Sequence, residues 1–316
     1  MASLFSFCIQ DANAWIYFIS DLPAANTLLN NAFGPYQYQP KLAKGFANAS
    51  VYSSDVATQR GFQGYDKFAI TIGTMGAAQV PRATSDLAYY KQLAEKLKKQ
   101  GDVYVGVAWN AWALNVGVKL PADFYLSFKF GKLKYSYLDF DFDGMNAGGM
   151  INYQLVTPKA PPIAIILWRG LSVGTGFLWQ YNKTAYHYTG SLQTDAGLAM
   201  QPKLKIFAKT ESYVIPLELS TAIRLFWFLN IHAGGGIDFA MGSARLNYSS
   251  TGVIFNGPNI NFYSVYGRQS GTGPRHYMPK IFCGPGISLG PVIIDVPLTY
   301  YFFGGFNAGI TVGVVW

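Results

Sequence analysis

From residue 64 to the last residue, apolar side chains recur at every second position in segment after segment, and none of these segments is apolar throughout. A helix needs about 18–20 consecutive apolar residues to cross a bilayer. A period of two instead belongs to the β-strand, whose successive side chains point to opposite faces. Ten such segments stand out: 65–79, 103–119, 124–138, 146–157, 165–181, 206–224, 229–241, 279–289, 292–303 and 306–316. One parity is apolar: Trp112, Leu114, Val116 and Val118; Phe124, Leu126, Phe128 and Phe130; Tyr213, Ile215, Leu217, Leu219 and Ile223; Leu229, Ile231, Ile237 and Phe239. The opposite parity carries Asn115, Lys119, Ser127, Lys129, Glu218, Arg224, His232 and Asp238.

Two architectures accommodate this pattern, a soluble sandwich and a barrel that turns its apolar parity to lipid. Composition favours the barrel. Half of the 316 residues are hydrophobic and only 13% are charged, against about a quarter in ordinary soluble domains. The 34 glycines, 22 tyrosines and 23 phenylalanines suit strands. Connections also sort by length. Those at 120–123, 157–162, 225–230 and 289–291 are short, whereas 80–102, 182–205 and 242–278 are long. Placing the short ones on one side puts every long one on the other, with the 139–145 loop and the Gly304-Gly305 turn beside them. One-sided loops are expected of bacterial outer-membrane barrels. An eleven-residue strand tilted by about 40° spans roughly 28 Å of membrane. Phe226-Trp227-Phe228, Tyr300–Phe303 and Trp179 fall near the expected boundaries, where amphipathic rings settle.

The chain ends "GITVGVVW", with Ala308, Ile310, Val312, Val314 and Trp316 on one parity. This end resembles the C-terminal recognition signal of bacterial outer-membrane β-barrel proteins, a terminal aromatic preceded by apolar residues two, four, six and eight places earlier. The resemblance implies insertion by a barrel-assembly machinery, residence in the outer membrane of a diderm bacterium, and outer-membrane lipid with lipopolysaccharide-like head groups as neighbours. It implies no cofactor and no particular activity. The expected fold is all-β, an antiparallel transmembrane barrel of about ten strands, or twelve if the N-terminal region adds two.

That N-terminal region does not alternate. Residues 1–14 end in Ala12-Asn13-Ala14, a small-x-small pattern like an export cleavage site, and read as the tail of an export signal or as an ordinary first strand. Residues 15–63 form a helix and loop extension or plug. Asp21 and Pro23 start a short helix that Gly34-Pro35 ends, and 36–61 is polar and loop-like. Residues 64–316 are the barrel. Within its first long connection, 84–101 reads as a loop helix with Asp86 in its first turn and lysines crowding its end.

Chemistry finds few candidates. The formal net charge of +8 would fit a nucleic-acid partner, but the basic residues are mostly scattered singly among strands and no RNA-binding or zinc-finger signature is present. Two cysteines, Cys8 and Cys283, give no disulfide framework and no zinc spacing. "DFDFDG" at 139–144 lacks the rest of a calcium loop and reads as a solvated acidic loop. "AGGGID" at 233–238 lies in a strand and lacks the helix that a phosphate cradle needs. His232 and Asp238 share a face, yet six residues of strand separate them by about 20 Å. His187 and His276 fall in outer loops, so no catalytic residue, metal site or cofactor is assigned.

The polar candidates are therefore those that line the lumen: Lys129, Lys132, Lys134, Glu218, Arg224, Asp238 and His232. Lys132 and Lys134 join this set if a bulge at Gly131 flips the strand face; otherwise they lie above the bilayer. Three functions follow. The first is a narrow pore or transporter for a small solute. The second is a surface adhesin or structural barrel using loop 242–278. The third, a membrane-embedded hydrolase, would need His232 or His276.

Overall fold

The computed structural model describes residues 6–7, 16–17, 39–58, 67–80, 106–157, 165–193, 199–256 and 259–316. The helices expected within 21–34 and 84–101 lie outside the described residues, as does most of 1–14, of which Ser6–Phe7 pairs with Ile16–Tyr17. The main sheet comprises β1 (Phe68–Gln79), β2 (Gly106–Lys119), β3 (Phe124–Tyr137), β4 (Phe140–Val156), β5 (Ile166–Thr189), β6 (Ala199–Leu225), β7 (Leu229–Asn256), β8 (Asn259–Thr272), β9 (Tyr277–Leu289), β10 (Val292–Asp295), β11 (Leu298–Tyr301) and β12 (Gly305–Val315). One helix, α1 (Gln39–Tyr52), runs into a 3-10 turn at Ser53–Asp55.

Every neighbouring pair is antiparallel, and the ladder closes on itself. Strands β1 to β7 pair in chain order, β7 pairs β9, β9 pairs β10 and β11, and these pair β12, which returns to β1. Strands β10 and β11 are one stave, interrupted at Val296-Pro297 because proline has no N–H to give the ladder. The ring therefore has ten staves, and β8 is an extra strand on the projecting part of β7. The terminal strand seals the ring. Trp316 N–H donates to the Phe68 carbonyl at 2.8 Å, the Trp316 carbonyl accepts from Lys67 N–H at 2.6 Å, and the two rings stack at 6.0 Å. Within the ten-stave ring closure leaves no unpaired edge at membrane depth, which is the condition for β structure in hydrocarbon.

The apolar parity faces out on every stave. Ile70, Leu114, Phe128, Ile151, Phe177, Leu217, Ile231, Ile281, Ile294, Tyr300 and Ile310 are all exposed, as are Val312, Val314 and Trp316 of the assembly signal. Ala308 shares their face. Cys283 lies exposed on the same belt. Inward positions are polar and buried: Asn115, Ser127, Lys129, Asn152, Ser220, Asn307 and Thr311. On β6 the belt runs from Tyr213 to Ile223, which is roughly 25 Å of membrane height for a strand tilted by about 40°. The chain is thus a ten-stranded transmembrane β-barrel.

The structure corrects several expected connections. Region 182–205 is mostly strand, since β5 reaches Thr189 and β6 begins at Ala199. Region 242–278 is a hairpin of β7 and β8. The 139–145 loop shrinks to a turn at Leu138-Asp139, so all of "DFDFDG" after its first aspartate lies in β4. These hairpins continue past the membrane because their polarity inverts. Above Tyr213 the inward residues Ala244, Leu246 and Tyr248 are apolar and buried, while Lys205, Ser243 and Arg245 face out. Leu42, Ala43, Phe46 and Ala47 of α1 pack against that inner face, with Ile206, Ala208, Ala244 and Leu246.

The belt gives a direct prediction. Leu217→Lys, outward near mid-membrane, should cost about 2–4 kcal/mol. Ser220→Ala, inward and sharing a hydroxyl hydrogen bond with Ser172, should cost about 1 kcal/mol. Urea titration of folding into lipid vesicles, read by heat-modifiable gel mobility, measures both. Equal costs would mean that the two faces are misassigned.

Candidate functional site

The polar interior converges on α1. This helix is narrow because Ala43, Gly45, Ala47, Ala49 and Ser50 are small. Residues 47–52 are all buried. At Gly106 the wall approaches the helix so closely that an added Cβ would lie 2.1 Å from the Gly45 carbonyl carbon. At Gly305 a Cβ would meet the Tyr52 ring at 2.1 Å.

A helix leaves its last carbonyls without intrahelical partners. Here the barrel wall supplies donors. Asn307 donates to the Tyr52 carbonyl at 2.6 Å, and Asn110 to the Ser53 carbonyl at 3.2 Å. The Lys129 ammonium donates to the Ser54 carbonyl, to the Val56 carbonyl at 3.1 Å and to Thr58 Oγ1 at 3.2 Å. Asn115 donates to the Ala57 carbonyl at 2.5 Å. A cation at a helix C-terminus also meets the negative end of the macrodipole. Above this crown, Tyr52 OH and Asn48 Nδ2 donate to Gln79 Oε1 at 2.6 and 3.1 Å. Gln180 Nε2 donates to Ser53 Oγ at 2.6 Å, and Ser50 and Ser212 share a hydrogen bond at 3.1 Å.

A second cluster holds the turn after α1. Lys280 Nζ lies 2.8 Å from Asp55 Oδ2, from Glu218 Oε1 and from Asp238 Oδ1, and all four side chains are buried. Tyr301 OH donates to Asp238 Oδ2 at 3.1 Å, and its ring stacks on Tyr52 at 4.0 Å. One ammonium thus joins the plug turn to β6 and β7. Below it, the space between Asp55, Thr58, His232 and Asp295 measures only about 10 Å³, enough for at most one water.

Of the sequence candidates, Lys129, Glu218, Asp238 and His232 are buried in the interior, and Glu218 and Asp238 meet at Lys280. Arg224 is half-buried near the short-turn end, where its Nε donates to Asn230 Oδ1 at 3.0 Å. Lys132 and Lys134 are not in the lumen. The β3–β4 ladder runs without a register shift through Gly131, so both stay on the outward parity and are exposed. One further expectation changes: the described part of 36–61 is helix and turn, not loop. The lysine that pairs with Glu218 and Asp238 is Lys280. The signal for Lys280 was its parity, opposite to Ile281 and Cys283. Asp55 carried none, because its region shows no strand period.

Among the described residues one Asp/His pair forms, His187 Nε2 with Asp141 Oδ2 at 3.4 Å on the exposed outer face. Ser136 donates to the other oxygen of Asp141. That hydrogen bond, with His187 beside it, holds the Asp141 carboxyl below its usual range. The carboxylate stands between the hydroxyl and the imidazole, so this order does not give the imidazole a serine proton to take.

The Lys280 cluster yields a stability prediction. Lys280→Met strands three buried carboxylates and should cost about 3–5 kcal/mol. Glu218→Gln keeps an acceptor beside Lys280 and removes one of three like charges, so it should cost far less. Equilibrium urea unfolding from vesicles compares them, and equal losses would contradict a lysine-centred latch.

Comparison with known proteins places the chain in a family. No curated protein matches it. Among solved structures it is similar to the translocator domain of the autotransporter NalP from Neisseria meningitidis, at 9% identity and TM-score 0.35, covering 92% of this chain and 98% of that one. It is similar to the Ralstonia pickettii toluene transporter TbuX, at 8% identity and TM-score 0.30, covering 87% and 99%. A third is LpxR from Salmonella typhimurium, at 9% identity and TM-score 0.25, covering 78% and 100%. Scores this low say nothing of function, and the barrel is established by its own closed ladder and outward belt. The model of the Lsa36-like family matches residues 18–316, and the chain belongs to that family.

Proposed function

We propose that this protein is a surface-display barrel of a diderm outer membrane, closed to solutes at rest, whose projecting hairpins present a binding face to a partner outside the cell. The observation that carries this reading is the filled lumen. Lys129, Glu218 and Asp238, the side chains best placed to line a solute path, are engaged in holding residues 52–58. A standing pore would need that segment to leave, together with the carbonyl crown and the Lys280 cluster.

The hairpins support the display role. Strand β6 runs fourteen residues beyond Tyr213 to Ala199, roughly 45 Å along its axis. Packing against α1 stiffens its inner face. On its outer face Phe207, Tyr266 and Arg268 line a cavity of about 410 Å³. Aromatic residues and arginine are the types that dominate binding hot spots. The short-turn end has no comparable projection among the described residues.

Two outcomes are expected. In planar bilayers the wild-type barrel should be silent, whereas Gly106→Leu, which collides with the backbone of α1, should conduct. Cells displaying a barrel trimmed between Asn247 and Arg268 should lose adhesion to immobilised extracellular glycoproteins while heat-modifiable mobility persists. A steady wild-type conductance, or adhesion unchanged by trimming, would refute the reading.

A further inference from the structure

We infer that the outward face of the barrel just above its aromatic girdle is a docking surface for the phosphate groups of an anionic outer-leaflet lipid. The girdle is marked by Trp179 and Tyr213, which both donate to Glu211 Oε1, at 3.2 and 2.8 Å. Two residues beyond Glu211, one row crosses five adjacent strands. Lys134 stands opposite Asp143, Asp143 opposite Lys183, Lys183 opposite Lys209, and Lys209 opposite Arg245. Directly opposed residues of an antiparallel pair share a face, so these five side chains form one outward band. Adjacent strands lie about 4.8 Å apart, which makes the band roughly 19 Å wide.

Its charge is what calls for a ligand. Three consecutive members, Lys183, Lys209 and Arg245, are cations with no acid between them. Like charges directly opposite one another on neighbouring strands are destabilising unless something offsets them. Of the three, Asp143 stands opposite Lys183 alone and is shared with Lys134, Glu211 is occupied by the girdle, and Asp141 is held by Ser136 and His187. Lys183 and Lys209 lean over the rings of Phe207 and Tyr181, at 5.6 and 5.1 Å, and none of the three makes an ion pair with a described residue. Lys134 and Lys183 also border an open cleft of about 410 Å³.

Position selects the occupant. Four residues separate Lys209 from Tyr213, which puts the row roughly 10 Å above the girdle along the membrane normal. The head-group layer occupies about 5–8 Å beyond each side of the hydrocarbon. Extended lysine and arginine side chains reach into it. A lipid-borne phosphate therefore lies within reach of the row's side chains, whereas a soluble polyanion would also find Lys203, Lys205 and Arg268 farther out. The inference goes beyond surface display and does not depend on the hairpins having a partner.

The test uses the full-length protein, delipidated in a neutral detergent, with native mass spectrometry as the readout. The probes are bisphosphorylated lipid A, dephosphorylated lipid A and dextran sulfate. The wild type should retain the phosphorylated lipid far better than the dephosphorylated one, a comparison that needs no variant. The combined variant Lys183→Gln, Lys209→Gln and Arg245→Gln should weaken that retention by about 100-fold, taking about fivefold per surface cation. Its thermal stability should equal or exceed that of the wild type, since opposed like charges are gone. Lys203→Gln with Lys205→Gln should leave lipid retention unchanged. Equal retention of the two lipids, full retention by the triple variant, or displacement of the lipid by dextran sulfate would overturn the inference.

Discussion

Hydrocarbon offers no hydrogen bonds, and that constraint governs the rest of this molecule. Every backbone N–H and C=O at membrane depth must find its partner within the protein. For strands the solution is a ring, and here β12 completes it by pairing with β1 from Gly305↔Gln79 to Val315↔Ala69. Ring closure then dictates the chemistry of both faces. The outward parity must be apolar, and the inward parity is free to be polar. Ten staves leave an interior too wide to be filled by their own side chains alone. The chain resolves this with α1, a helix of small residues.

The helix brings its own deficit, the unpaired carbonyls at its C-terminus. Buried without partners, each would cost about 1–3 kcal/mol. Asn307, Asn110, Lys129 and Asn115 answer that deficit from three different strands. Polar lumen residues are thus explained without solute flow. Lys280 adds a second tie from a fourth strand, and its three carboxylates connect the plug turn to β6 and β7. Breaking the plug free means exposing several buried charges and carbonyls together, which favours a closed resting state.

The ring and its faces were legible because lipid imposes one simple period. From Tyr213 to Ile223 every outward position but Thr221 is apolar, and from Phe306 to Trp316 every outward position is. Strand length was hidden by the polarity inversion. On β6 the apolar parity passes from Tyr213, Ile215 and Leu217 to Leu204, Ile206 and Ala208 as the strand leaves the membrane. A reading that follows one apolar face stops at that switch and takes the remainder for loop. Lys132 and Lys134 were misleading for the same reason: they needed no bulge, because they had already left the membrane. Helix α1 was hidden differently. An amphipathic period arises when one face meets water, and residues 47–52 are enclosed on all sides.

The central claim, a lipid-wetted ring around a filled lumen, is tested most directly by nitroxide scanning of residues 203–223 in lipid vesicles. Oxygen should relax labels at odd positions from 213 to 223, a water-soluble nickel chelate should relax those at odd positions from 203 to 209, and labels at even positions from 212 to 222 should be shielded from both. Nickel access to the even positions would reveal an open aqueous lumen, and oxygen access without alternation would remove the barrel itself.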